Sequence, residues 1–280
     1  MDHQSLESTL ADLHLSGVRF YPTIGSTNDE ASKWIEAGAP HLSLVIADEQ
    51  TAGRGRSNRR WISAPGAGLA FSLILLAPPF NSHLLSRLPG LGAVAVQNAL
   101  HKKLSLSAQI KWPNDILINQ KKAGGVLVEV RWHGEFPEGI IIGIGINIAP
   151  ESISSISLPP EGLNFPATCV ESVLGHPVDR LELLHAILQE LLFWLPRISS
   201  PEFIREWESC LAFFGQQVEI FTGETPAYVI PGNDFPNLKA GKVIGLSQDG
   251  SLKLITPTDE VVTVSIGEVH LRPIGFGQPL

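Results

Sequence analysis

Four arginines and two glycines crowd into Gln50-Thr51-Ala52-Gly53-Arg54-Gly55-Arg56-Ser57-Asn58-Arg59-Arg60-Trp61. Guanidinium groups are planar forks of donors that match the paired oxygens of a carboxylate or phosphate, and glycine lets the backbone come close to a ligand. The stretch reads as an anion-binding loop, with a solvated basic turn as the bland alternative. Three further groups bear chemistry. They are Ser26-Thr27-Asn28, Lys111-Trp112-Pro113-Asn114-Asp115, and Lys122 followed by Gly124-Gly125 and by Gly143-Ile144-Gly145-Ile146-Asn147.

These residues need a scaffold. Leu42 to Ala47 and Gly68 to Leu76 read as strands on either side of the arginine loop, and loops held that way carry function. Leu6, Leu10 and Leu13 predict a short first helix, and Val18 to Tyr21 the first strand. Thr27 with Glu30 makes a capping-box pattern for a helix to about Ala37, closed by Gly38 and Pro40. Leu84 to Leu104 has helical spacing interrupted at Pro89-Gly90, which predicts two pieces or a kinked start. Ala108 to Trp112, Ile116 to Ile118, Val126 to Trp132 and Ile140 to Ile148 read as strands, with Asn119 to Lys122 as a tight turn. Gly143 and Gly145 weaken the last of these strands on structural grounds. Glycine there marks a close approach, which a flat ligand lying on the sheet would explain, with Gly124-Gly125 on the same wall. A Ser- and Pro-rich surface loop follows at 149–167. Asp179 with Glu182 caps a helix to about Leu195 bearing Leu181, Leu184, Leu188, Leu191 and Leu192 on one face, and another helix runs from Pro201 to Cys210. After Gly215 short alternating runs at 217–221, 243–246, 252–255 and 261–265 predict a small β-barrel with a loop at 230–239.

The chain has 280 residues, 44% hydrophobic and 17% charged, with a formal net charge of -8. That balance suits a soluble protein with one large and one small domain and argues against a nucleic-acid surface. Cys169 and Cys210 form no CxxC pair, which points to a reducing compartment, and the nine histidines show no zinc-protease spacing. No run reaches about 18 uninterrupted apolar residues, and Met1-Asp2-His3-Gln4-Ser5 does not open a secretory signal, so a cytoplasmic protein without a membrane partner is expected. With the first strand beginning near Val18, too few residues precede it for a helix-turn-helix, and no DNA partner is expected.

The Lys111 to Asp115 run, together with Ser26-Thr27-Asn28, Gly53-Arg54-Gly55-Arg56, Lys122 to Glu129 and Gly143 to Asn147 in that order and spacing, resembles the biotin protein ligases. The likeness is strong over residues 18–150 and weak over 215–273, where it rests on Gly241 to Gly245, Asp249 to Leu252 and Gly267-Glu268-Val269. One departure is Asn58, where the family loop carries a third glycine; asparagine tolerates positive φ, so the loop can still turn. The resemblance implies an α+β fold. A mixed β-sheet catalytic domain flanked by helices would span 1–214, and a small SH3-like β-barrel 215–280, docked through a short linker near Phe214.

It also implies a ligase whose substrates are ATP and biotin, with Mg2+ held mainly by ATP phosphates and Asp115 nearby. Biotin's carboxylate attacks the α-phosphorus, giving biotinoyl-AMP and pyrophosphate. A lysine of the biotin carboxyl carrier protein of acetyl-CoA carboxylase then attacks the mixed anhydride. Carried over, Ser26, Thr27, Asn28 and Gln50 meet the ureido ring, and Gly53, Arg54, Gly55, Arg56, Lys122, Gly125 and Gly143 complete the biotin site. Arg56, Arg59, Trp61, Lys111, Asn114, Lys122 and Asn147 meet ATP or the adenylate. Arg54, Arg56 and Lys122 are the catalytic group, neutralising charge and aligning two anions. Arg54 and Arg56, alternating around Gly55, are expected to close over the ligand together, from a loop over 53–61 that orders on binding. Trp61 and Trp112 either pack on adenine or fill the core. The carrier is the expected partner, and a homodimer is compatible with the resemblance. A lipoate ligase or octanoyl transferase shares the fold and a related Lys-Trp-Pro-Asn-Asp run, but the Gly-Arg-Gly-Arg loop and C-terminal barrel favour biotin. A non-catalytic biotin-binding regulator would lack one of the charged residues, and none is missing.

Overall fold

In the computed structural model, which describes residues 1–56, 59–76, 82–154, 166–222, 240–265 and 269–273, the elements run in the following order. First come α1 (His3–Thr9), β1 (Gly17–Ile24), α2 (Thr27–Glu36), β2 (Ser43–Arg54), β3 (Arg60–Ser63) and β4 (Gly68–Leu76). Next are α3 (Ser82–Leu85), α4 (Leu88–Leu104), β5 (Gln109–Lys111), β6 (Asp115–Ile118), β7 (Lys121–His133) and β8 (Phe136–Asn147). Helices α5 (Glu151–Ser154), α6 (Val170–Leu174), α7 (Arg180–Trp194) and α8 (Pro201–Ser209) follow. The chain then forms β9 (Gln217–Thr222), β10 (Ala240–Leu246), β11 (Leu252–Ile255), β12 (Val261–Val264) and β13 (Val269–Pro273).

The first eight strands make one mixed sheet in the order β1-β2-β4-β8-β7-β6-β5, with β3 paired to β2. Among the described residues, β1 and β2 are the one parallel pair within it and the other pairs are antiparallel. Period-two alternation sorts its side chains. Leu44, Ile46, Leu69, Phe71, Leu73, Ile142, Ile144 and Ile146 enter the main core, where α4 packs and is backed by α7 and α8. Val45, Ile74 and Ile141 face the other way, against Ala31, Ile35 and Ala39 on and just after α2. Each fully buried leucine or phenylalanine here contributes about 1.5–3 kcal/mol. Pro89 falls in the first turn of α4, where a missing N–H leaves no bond unmade, so the expected interruption separates α3 from α4.

The C-terminal strands form an antiparallel sheet ordered β12-β11-β10-β9-β13, where the barrel was expected. Its β10–β11 turn meets the α3–α4 and β5–β6 connections: the buried Trp112 indole donates to the Gly250 carbonyl at 2.9 Å and the Ser86 hydroxyl to that of Asp249 at 2.6 Å. Trp112 is therefore a core and docking residue. The loop at 230–239, Gly267-Glu268, Ser57-Asn58 and much of the 149–167 loop lie outside the described residues. Among the described residues no helix is long and apolar enough to cross a membrane.

Three local expectations are corrected. The arginine loop is a β-hairpin, because β2 continues to Arg54 and pairs with β3 across Gly53↔Trp61 and Arg54↔Arg60. The turn before β7 holds only Asn119 and Gln120, both at positive φ (49° and 59°), the twist that suits a two-residue hairpin; Lys121 and Lys122 are already in the strand. The capping box at α2 does not form. Ser26 is the N-cap and makes no side-chain capping bond, while Glu30 accepts from the Tyr21 hydroxyl at 2.8 Å and pairs with Arg19.

Candidate functional site

With capping discounted, the polar residues at the start of α2 are available for other work. Ser26, Thr27, Asn28, Gln50 and Ser72 are all buried. The Thr27 backbone N–H donates to Gln50 Oε1 at 2.7 Å, and the Thr27 hydroxyl lies 3.1 Å from the same oxygen. Ser72 Oγ lies 2.7 Å from Thr27 Oγ1 and 2.6 Å from Asn28 Oδ1, while Asn28 Nδ2 donates to Glu129 Oε2 at 2.6 Å. Buried polar groups persist only when partnered, so this chain of bonds makes a fixed cradle.

The sheet supplies its floor. Gly125, Gly145 and Ala70 stand opposite one another across β7, β8 and β4, and Leu127, Gly143 and Ser72 form the next row. A Cβ on Gly143 would overlap the Asn28 amide, and one on Gly145 would lie 2.5 Å from Trp61 Cε2. The close approach that these glycines were expected to give a ligand is thus made by Asn28 and Trp61 themselves. Gly125 differs: its Cβ would meet Asp115 Oδ1 and Lys122 Nζ at 3.5 and 3.7 Å, ordinary contact.

A cationic cluster stands over Gly125. A bulge in the β6–β7 pairing sits beside Lys122, whose ammonium donates to Asp115 Oδ1 at 2.5 Å, and Lys111 Nζ lies 3.6 Å from Asp115 Oδ2. Burial pushes the Asp115 carboxyl up, but Lys122 and Lys111 outweigh it and hold it at about 2. Burial also pushes the Lys111 ammonium down, opposed by Asp115, with the positive charges of Lys122 and Arg59 adding to the fall. Arg56 donates to Asn114 Oδ1 at 3.2 Å, and Asn114 Nδ2 to the Val126 carbonyl at 2.6 Å. Asn147 is buried and donates to the Thr168 carbonyl at 3.1 Å, beside the segment that pairs with Lys122. Asp115 does not fit a magnesium ligand, since its two oxygens face two ammonium groups.

Cradle and cluster occupy neighbouring rows of one face, about 7 Å apart. Arg54 is not among the cationic cluster. Its guanidinium is paired with Asp29 and Glu129, whereas that of Arg56 meets Asn114. Asp29, Ser72 and Glu129 carry the polar network, yet sequence reasoning gave them no role. A hydroxyl in the otherwise apolar β4 and a carboxylate two rows along β7 from Gly125 were the available signals.

A neutral polar cradle thus lies beside a largely buried cationic cluster on one face of a mixed sheet, an arrangement complementary to a polar head joined to an anionic tail. Residues 20–147 match the biotin/lipoate A/B protein ligase family. The chain is 31% identical over 210 residues to the biotin–acetyl-CoA-carboxylase ligase of Paracoccus denitrificans, covering 73% of this chain and 85% of that one. It is 38% identical over 169 residues to the bifunctional ligase/repressor BirA of Bacillus spizizenii, covering 60% of this chain. The aligned region spans about half the length of that relative and of its Bacillus subtilis counterpart. Among solved structures, the biotin protein ligase from Aquifex aeolicus in complex with biotin and ATP superposes with a TM-score of 0.74 at 28% identity, covering 92% of this chain and 100% of that one. The chain belongs to the biotin/lipoate A/B protein ligase family.

Proposed function

We propose that the chain is a biotin–acetyl-CoA-carboxylase ligase, which activates biotin with ATP as biotinoyl-5'-AMP and passes the acyl group to a lysine of the biotin carboxyl carrier protein. The observation that carries this reading is the adjacency of the two clusters: a neutral head held by Ser26, Thr27, Asn28 and Gln50 leaves its carboxylate one row away, at Lys122. Relatives named for this reaction support it. Gly53 admits the Trp61 carbonyl and the Gln50 amide, Gly143 admits the Asn28 amide, and Gly125 belongs to the same floor.

Biotin's carboxylate and the ATP α-phosphate repel each other. Lys122, Lys111 and Arg56 supply the positive field that brings them together, and Asn114 holds Arg56 in place. Attack of a carboxylate oxygen on the α-phosphorus expels pyrophosphate. Trp61, lying on Gly145, together with Arg59 and Asn147, covers the nucleotide side and shields the mixed anhydride from water. The acceptor lysine then attacks the acyl carbon and AMP leaves. Mg2+ would arrive with the ATP phosphates. The division at Phe214, with residues 1–214 holding the site and 215–280 a second domain, is part of this proposal; no DNA partner is included, and a homodimer is compatible with it.

The test is incubation with biotin, ATP and a carrier domain, reading the carrier's mass. A gain of one biotinyl group is expected. A carrier left unmodified, with no pyrophosphate released, would refute the assignment.

A further inference from the structure

Arg54 has the wrong neighbours for a residue that receives an anion. One guanidinium nitrogen donates to Asp29 on α2, and the other to both oxygens of Glu129 on β7, at 3.0 and 3.1 Å. One cation between two carboxylates leaves the trio with a net negative charge, and a substrate carboxylate brought to it would be repelled. Asp29 is the strongest of the influences that raise the Arg54 pKa.

Glu129 has a second partner. The oxygen that accepts from Arg54 at 3.1 Å also accepts from Asn28 Nδ2 at 2.6 Å, so this carboxylate joins the ion pair to the cradle. That bond settles the orientation of the Asn28 amide, because its nitrogen must face Glu129 and its oxygen then faces Ser72. The pattern continues through Ser72 to Thr27. Gln50 is set separately: its Oε1 is committed to the Thr27 backbone N–H, which presents Gln50 Nε2 as a donor.

We propose that Arg54, held by Asp29 and Glu129, is a positioning residue: the ion-paired trio fixes the amide of Asn28, so that this part of the cradle meets the neutral head of the ligand with its donor and acceptor already set. The Arg54 guanidinium does not touch the ligand carboxylate, which goes to Lys122 and Arg56. This rests on the biotin reading above and departs from the expectation that Arg54 belongs to the catalytic group. Glu129 acts from β7, through Asn28.

Calorimetric titration with biotin and with biotinamide, whose carboxylate is replaced by a neutral amide, separates the two roles. Arg54→Gln and Glu129→Gln are each expected to weaken both ligands alike, on the order of tenfold, and the double variant to be no weaker than either single one. Lys122→Gln should weaken biotin much more than biotinamide. The trio is half-exposed, so the thermal midpoints of the ligand-free variants should stay within about 2 °C of the parent. If Arg54→Gln weakens biotin alone, the guanidinium binds the carboxylate and the proposal falls. If the two losses add in the double variant, or both variants melt well below the parent, the trio does not position the cradle. A parent protein that binds neither ligand would overturn the biotin reading itself, an outcome distinct from these.

Discussion

Two charge trios share one face of the sheet and have opposite balance. Around Arg54, two carboxylates hold one cation; around Asp115, two ammonium groups hold one carboxylate. The first trio is half-exposed and the second largely buried, so the same arithmetic of charges carries more weight in the second. A surplus of negative charge beside the cradle suits a neutral ligand head. A surplus of positive charge over Gly125 suits two anions that must meet. The hairpin places Arg54 in one environment and Arg56 in the other, which is why counting arginines along the loop says little about what each does.

The largest effect should come from the positive side. Lys122→Ala removes the ammonium nearest the floor of the site, and pyrophosphate release from biotin and ATP is expected to fall by about a hundred- to a thousandfold. Release at the parent rate would show that the reaction does not run at this trio. Unlike a lysine on an exposed turn, Lys122 also partners Asp115, so the variant should lose some stability as well.

Asp115 gives the next effect, on stability. Its folded-state pKa of about 2 lies below the ordinary 3.8, so its stabilisation is complete above pH 4 and is lost as the pH falls through 2. The difference corresponds to about 2 kcal/mol. Urea unfolding of the parent and of Asp115→Asn should therefore converge by that amount between pH 4 and pH 2, with the variant the less stable at pH 7. A gap that does not change with pH would mean that the lysines do not hold this carboxylate ionised.

How far the sequence revealed these trios depended on distance along the chain. Lys111, Asn114 and Asp115 sit in one short run, and Lys122 follows across a two-residue turn, so residue types and spacing were enough to group them. The Arg54 trio joins α2, β2 and β7, and Glu129 is 75 residues from Arg54. Strand order and the packing of α2 on the sheet bring them together, and a single sequence states neither. Helix starts were legible in type but not in use: Ser, Thr and Glu at the start of α2 looked like capping, yet Glu30 turns to Tyr21 and Arg19 instead. Glycines in β8 were correctly read as close approach. The approaching groups, Asn28 and Trp61, come from distant segments and could not be named in advance.

The smallest expected effect distinguishes Arg56 from its neighbour on the hairpin. Arg56 is held by Asn114 beside the positive trio, where in the proposed reaction it would retain the adenylate, whereas Arg54 is committed to carboxylates. One charged hydrogen bond to a phosphate or carboxylate is worth about 1.5 kcal/mol at its weaker end, so Arg56→Gly should speed the escape of biotinoyl-AMP on the order of tenfold. Adenylate formation should fall less. The escaped anhydride would acylate exposed lysines of any protein present, so labelling of a non-carrier bystander, followed by streptavidin blot, should rise with its accessible lysines. Arg54→Gly should not produce this labelling, because its loss disturbs the cradle and lowers biotin binding first. If both variants leak adenylate equally, the arginines do clamp the ligand together, and the contrast between the two trios does not extend to the hairpin.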